Sequence, residues 1–173
     1  MSIDPSRLQI VLYPDPVLRQ QAARVPDVTN EVRQVAERMF ELMAEADGVG
    51  LAAPQVGLPW RMFVTAGRDD VPPRVIINPE LTAFEPELAT IEEGCLSLPG
   101  VHVEVRRPRG VTLTAMDLDG TTFTLRDDEY EARVWQHEYD HLNGVLIIDK
   151  MSPMERLANR RILRDLRSGG RSD

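Results

Sequence analysis

Apolar residues recur along this chain at two periods, and the change from one to the other divides it into helices and strands. Val32, Val35, Ala36, Met39, Met43 and Ala46 keep the spacing of one helical face, with Thr29 or Asn30 placed to cap it and Gly48 and Gly50 expected to end it. Arg61 to Thr65 and Val75 to Asn78 read as short strands, the second stopped by Pro79, after a turn forced by Tyr13-Pro14-Asp15-Pro16. Val101 to Val105 and Val111 to Met116 alternate with the period of a strand, and Asp119-Gly120 between Leu118 and Thr121 signals a hairpin. A second helix is expected from about Glu129 to Leu142, with Asp128 and Glu131 as a capping box and Asn143-Gly144 as its stop. A third runs from Pro153 to Ser168-Gly169-Gly170, after which the chain should fray. Strands grouped between helices predict an α+β fold: mostly antiparallel sheets around a central helix, with an N-terminal and a C-terminal helix.

Composition narrows the function classes. A chain of 173 residues with 42% hydrophobic content suits one domain, 1–173, with 153–168 as a basic C-terminal helix. No apolar run approaches membrane-spanning length, and the start, Met1 to Arg7, lacks the shape of a secretory signal. A lone cysteine, Cys95, rules out an internal disulfide; together these features lead us to expect a cytoplasmic protein. The net charge of −8 argues against general nucleic-acid binding. That charge is uneven: residues 151–173 carry +3, leaving −11 on the rest, and Lys150 is the only lysine.

Against this background His137-Glu138-Tyr139-Asp140-His141 stands out. On a helix, residues four apart share a face, so the two imidazoles can grip one metal ion while Glu138 reaches a water beside it. A catalytic ion needs three protein ligands, leaving a position open. Cys95, in Glu93-Gly94-Cys95-Leu96-Ser97, supplies the third as a thiolate, although a lone cysteine is also read as a small buried hydrophobe. Gly94 lets the backbone approach the metal, or marks a bulge; the Leu96 amide faces an oxyanion, or its side chain is plain core. Gln55 closes the run Gly48 to Gln55 as a neutral donor for a developing negative oxygen, or as a surface glutamine.

In this order, Gly48 to Gln55, Glu93 to Ser97 and Gln136 to His141 resemble the three motifs of the peptide deformylases, and the likeness extends from Tyr13 to Gly144 and onto the final helix. The resemblance implies a hydrolase that removes the formyl group from N-formylmethionyl nascent peptides. It implies Cys95, His137 and His141 as metal ligands, Glu138 as general acid and base, and Gln55 with the Leu96 amide on the formyl oxygen. Glu93 braces the loop around Cys95, and Val49 and Gly50 resemble the stretch that holds the peptide. The methionine pocket corresponds to Val49, Ile91, Tyr130, Arg133 and Val134. Ferrous iron is the ion implied in the cell, with Zn2+ common in preparations; the ligand types also accept Ni2+ or Co2+. The chain departs from the pattern at Glu129, where many members have glycine, and at His102, where some have arginine.

Two other classes share the pentad. A zinc endopeptidase typically takes a third histidine or an acid as ligand, and a non-enzymatic metal module would close its ion with a fourth residue, for which no candidate stands out. Arg156, Arg160, Arg164 and Arg167 recur at spacings of four and three, with Leu157, Ile162, Leu163 and Leu166 available as a buried side. The resemblance implies that this basic helix docks on the ribosome.

Overall fold

The computed structural model describes residues 2–169; the expectations for Gly170 to Asp173 lie outside them. Thr29 caps helix α1 (Asn30–Glu45), accepting from the Val32 N–H, and Val32, Val35, Ala36, Met39, Leu42 and Met43 form the buried face. No glycine stops this helix. Ala46 is the C-cap and Asp47 takes the left-handed conformation at φ 52°. Gly48 is needed for space instead, since a Cβ there would stand 2.8 Å from the Leu96 side chain.

Strands β1 (Gly50–Ala52), β2 (Met62–Thr65), β3 (Arg74–Thr82), β6 (Val111–Met116) and β7 (Thr122–Asp127) form one antiparallel sheet in the order β1-β2-β3-β6-β7. β4 (Leu88–Glu93) pairs with β5 (Val103–Pro108) in a second, two-stranded sheet. Pro79 does not end β3. The register shifts between Ile77 and Glu80, and Asn78, at φ 50°, binds Val25 through both side-chain polar atoms, so the bulge accommodates the missing N–H. β1 and β4 go beyond the strands expected from pattern, β7 is the second arm of the expected hairpin at Asp119-Gly120, and β4 leaves most of its side chains exposed on both faces.

One face of the large sheet carries Leu51, Met62, Val64 and Ile77 against α1. The opposite face carries Ala52, Phe63, Ile76 and Leu113 against Ala132, Trp135 and Leu142 of α2 (Tyr130–Leu142). A third apolar cluster joins Val103 and Val105 of β5 to Ile147, Ile148 and Leu163. Helix α2 thus lies between the two sheets.

The N-terminus of α2 is not the expected box. Glu129 is the N-cap residue without a capping side chain, and Asp127 rather than Asp128 accepts from the Glu129 and Ala132 N–H groups. Its end follows expectation, with Asn143 as C-cap and Gly144 at φ 70°, where a Cβ would press on the Arg19 carbonyl. The tail is two helices, α3 (Pro153–Ala158) and α4 (Arg160–Arg167), broken at Asn159. Ser152 and Glu155 form a capping box on α3. Leu163 is buried and Ile162 and Leu166 pack beside it, whereas Leu157 is exposed, contrary to expectation. No helix of the described residues is long and apolar enough to cross a membrane.

Candidate metal centre and cleft

β4 delivers Glu93, Gly94 and Cys95 to the side of α2 that carries His137 and His141. One ligand atom from each of Cys95, His137 and His141 lies within 4.8 Å of the others. Cys95 Sγ stands 3.4 Å from His141 Nε2, and the two rings meet edge to face with centroids 5.0 Å apart. His137 Nδ1 is taken by Glu93 Oε2 at 3.0 Å, leaving Nε2 as its free ligand atom. A thiolate and two imidazole nitrogens at this spacing fit a single ion, with a carboxylate orienting one ligand from behind.

Glu93 is buried and holds more than His137. Its Oε1 accepts from Arg107 Nε at 2.7 Å and Arg133 Nη1 at 3.1 Å, and Arg107 also reaches Asp140 at 2.8 Å. Burial pushes the Glu93 carboxyl up, but His137 and Arg107 outweigh it and hold the group well below the usual range. Burial likewise disfavours charge on His137, yet its contacts with Cys95 and Glu93 raise it well above the ordinary value. His141, penalised by burial and by the neighbouring His137, is pulled well below. A neutral imidazole is the form that ligates a metal.

Glu138 is only 3% exposed. Burial raises its carboxyl to about 7, within the range suited to proton transfer. Above these groups opens a cavity of about 800 Å³. Gln55, Gly94, Leu96 and Glu138 line it with two of the candidate ligands, Cys95 and His137. Gln55 is fixed by the Ala52 N–H on its oxygen and by Ser97 Oγ, 3.2 Å from its Nε2.

The expected substrate residues Val49, Gly50, Ile91, Tyr130, Arg133 and Val134 also line the cavity. Val134 is buried, whereas Val49 and Ile91 are about half exposed at the mouth. The Arg133 guanidinium turns away to Glu93 and the carbonyls of Val105 and Ala89, so its stem forms wall. Tyr130 lies under Arg68, 4.9 Å from its ring centre. Of the two departures, His102 sits at the rim 3.7 Å from Glu92, and Glu129 lines the edge where α2 begins. Sequence reasoning missed Arg107 and Ser97. Arg107 continues the inward alternation of Val103 and Val105, and an arginine on the buried face of a strand is a detectable sign of a buried ion pair.

A family model described as Polypeptide deformylase matches residues 7–157. Among curated proteins, peptide deformylase of Thermotoga maritima is 44% identical over 158 residues, 91% of this chain and 95% of that one. That of Borreliella burgdorferi is 39% identical, covering 94% and 98% respectively. Among solved structures, a plant peptide deformylase superposes with a TM-score of 0.90 at 35% identity, covering 98% of this chain and 93% of the other.

Proposed function

We infer the chemistry from kinship and geometry together: the chain belongs to the polypeptide deformylase family, enzymes that remove the N-formyl group from nascent peptides. It is a hydrolase of N-formylmethionyl peptides, and the family and the Cys95, His137 and His141 cluster imply a metal. We assign the ion to those three residues. When bound, it supplies Lewis-acid polarisation and makes water acidic enough to serve as a nucleophile near neutral pH. Ferrous iron is the ion proposed in the cell; Zn2+, Ni2+ or Co2+ suit the same donors.

Within that site Glu138 takes a proton from the attacking water and later gives it to the leaving amine. The Gln55 carboxamide and the Leu96 N–H donate to the oxygen of the tetrahedral intermediate, each such donor contributing about 3 kcal/mol. Glu93 keeps His137 in the tautomer that presents Nε2. Val49 and Gly50 hold the peptide beside Gly94, and the methionine side chain lies among Ile91, Tyr130, Arg133 and Val134. The chain works as one catalytic domain, 1–173, in the cytoplasm, with its basic tail against the ribosome.

The observation that carries this reading is a buried carboxylate beside a three-ligand cluster at the floor of a largely apolar cleft. Anaerobically prepared, metal-quantified protein should release formate from formyl-Met-Ala-Ser. Cleavage of blocked internal peptides without formate release would replace the reading with that of an endopeptidase.

A further inference from the structure

Gly50, Thr65 and Arg74 are register partners on β1, β2 and β3, on the face of the sheet that α2 covers. α2 places Glu131, Trp135 and Glu138 at spacings of four and three, one side of a helix. The two rows meet at both ends. A Cβ on Gly50 would stand 2.5 Å from Glu138 Oε1, so the carboxylate fills the slot that glycine leaves. At the other end burial and Asp127 raise the Glu131 carboxyl, and the positive charge of Arg74 pulls against them.

Between the ends the seam is polar and unsatisfied. Thr65 Oγ1, Trp135 Nε1, Arg74 Nε and Glu138 Oε2 are all shut off from solvent, with no hydrogen-bond partner among the described residues. Thr65 is 1% exposed. Polar groups left this way are rare, and a cluster of them takes an internal water making about three hydrogen bonds. The register places Thr65 next to the slot at Gly50. The Ala66 N–H goes to the Val49 carbonyl, so Gly50 and Thr65 form the next, non-hydrogen-bonded pair, whose Cα atoms lie about 4.5 Å apart. The Thr65 side chain therefore stands beside the slot that Glu138 occupies.

We propose that an internal water joins the Thr65 hydroxyl to Glu138 Oε2, with the Trp135 N–H as a second donor to it, and that Thr65 is a positioning residue for this carboxylate. Thr65 and Trp135 donate to the water, and the water donates to Oε2. Glu138 is gripped from the sheet side while its remaining acceptor capacity faces the cavity. The inference rests on Glu138 being the general base.

The test compares Thr65→Val, which keeps shape and loses the hydroxyl, with Thr65→Ser. In metal-quantified protein T65V should lower kcat about fivefold, the loss expected for one hydrogen bond between neutral groups, with KM for formyl-Met-Ala-Ser and metal content unchanged. T65S should restore most of that rate. In metal-free protein, the shifts in thermal midpoint caused by T65V and by Glu138→Gln should fail to add in the double variant. Wild-type kcat in T65V overturns the proposal, as does equal slowing by T65V and T65S, which marks packing alone. Should T65V not fold, Thr65→Ala set against T65S is read in the same way. Full activity in E138Q would instead overturn the general-base reading itself.

Discussion

Glu138 sits one residue from a proposed ligand, yet its carboxylate packs on the backbone of Gly50, a placement that would separate catalysis from metal binding. Glu138→Gln should keep about one equivalent of metal while formate release falls roughly 10²-fold or more. Loss of the ion would make Glu138 a ligand. Its protonation gives a second reading: burial raises the carboxyl to about 7, so the base form is lost as pH falls through that value. A cation at the cluster stabilises the carboxylate, so the acid limb of kcat/KM in loaded enzyme should lie at or below pH 7 and be absent from the residual rate of E138Q. Gly50 supplies an independent probe, because an added Cβ would stand 2.5–3.0 Å from three Glu138 atoms. Gly50→Ala should lower kcat by about 10²-fold, the effect of a displaced catalytic group, with metal content intact; an unchanged kcat would show that the carboxylate moves aside freely. The pentad was readable because its geometry is local to one helix. Bare residue chemistry already favoured Cys95 once the histidine pair lacked a third ligand, whereas Gln55 drew its expected role only from its place in the three motifs. Thr65 gave no sign at all, since a buried hydroxyl acquires meaning only from the strands beside it.

At the scale of elements, periodicity located α1, α2, β6 and half of β5, while the ends depended on single polar side chains. Asp127, not Asp128, accepts from two free amides at the start of α2. Removing that acceptor by Asp127→Ala should cost about 1 kcal/mol in urea denaturation, whereas Asp128→Ala should not; equal effects would refute the assignment. Sequence spacing treats the tail as one helix because Asn159 does not interrupt its period, and only the break reveals how the arginines divide. Arg156 donates to the Ile148 carbonyl and Arg167 to the Tyr13 hydroxyl, leaving Arg160, Arg161 and Arg164 exposed. If these arginines meet ribosomal phosphate, replacing them with glutamine should lower co-sedimentation and reduce the slope of log affinity against log salt by about 2, leaving formate release from a free tripeptide unchanged. Equal sedimentation of both proteins across salt would leave the tail a purely structural role.

For the molecule as a whole, the decisive arrangement is long-range: β4 and the loop after it supply Glu93 and Cys95, β5 supplies Arg107, and α2 supplies the histidines and Asp140. No pattern within a single segment encodes that meeting, which is why the sheet order and the buried ion network were beyond sequence reading although the fold class was not. The network also decides what the metal contributes to folding. Breaking a buried ion pair is expensive because it strands the partner charge, so Glu93, held by Arg107, Arg133 and His137, stays put whatever occupies the cluster. On that argument we expect the site to be built by the protein rather than by the ion, unlike small domains that unfold when their metal is removed. Chelated protein should therefore retain its far-UV signal and melt in one cooperative transition. The bound ion should still stabilise by mass action, about 2.7 kcal/mol at a hundredfold excess over its dissociation constant. In a chain of this size that corresponds to a midpoint about 5–11 °C higher with metal than without. Differential scanning calorimetry of chelated and reloaded protein checks both outcomes: loss of cooperative melting on chelation would show that the ion builds the site, and an unchanged midpoint that it does not bind the folded chain tightly.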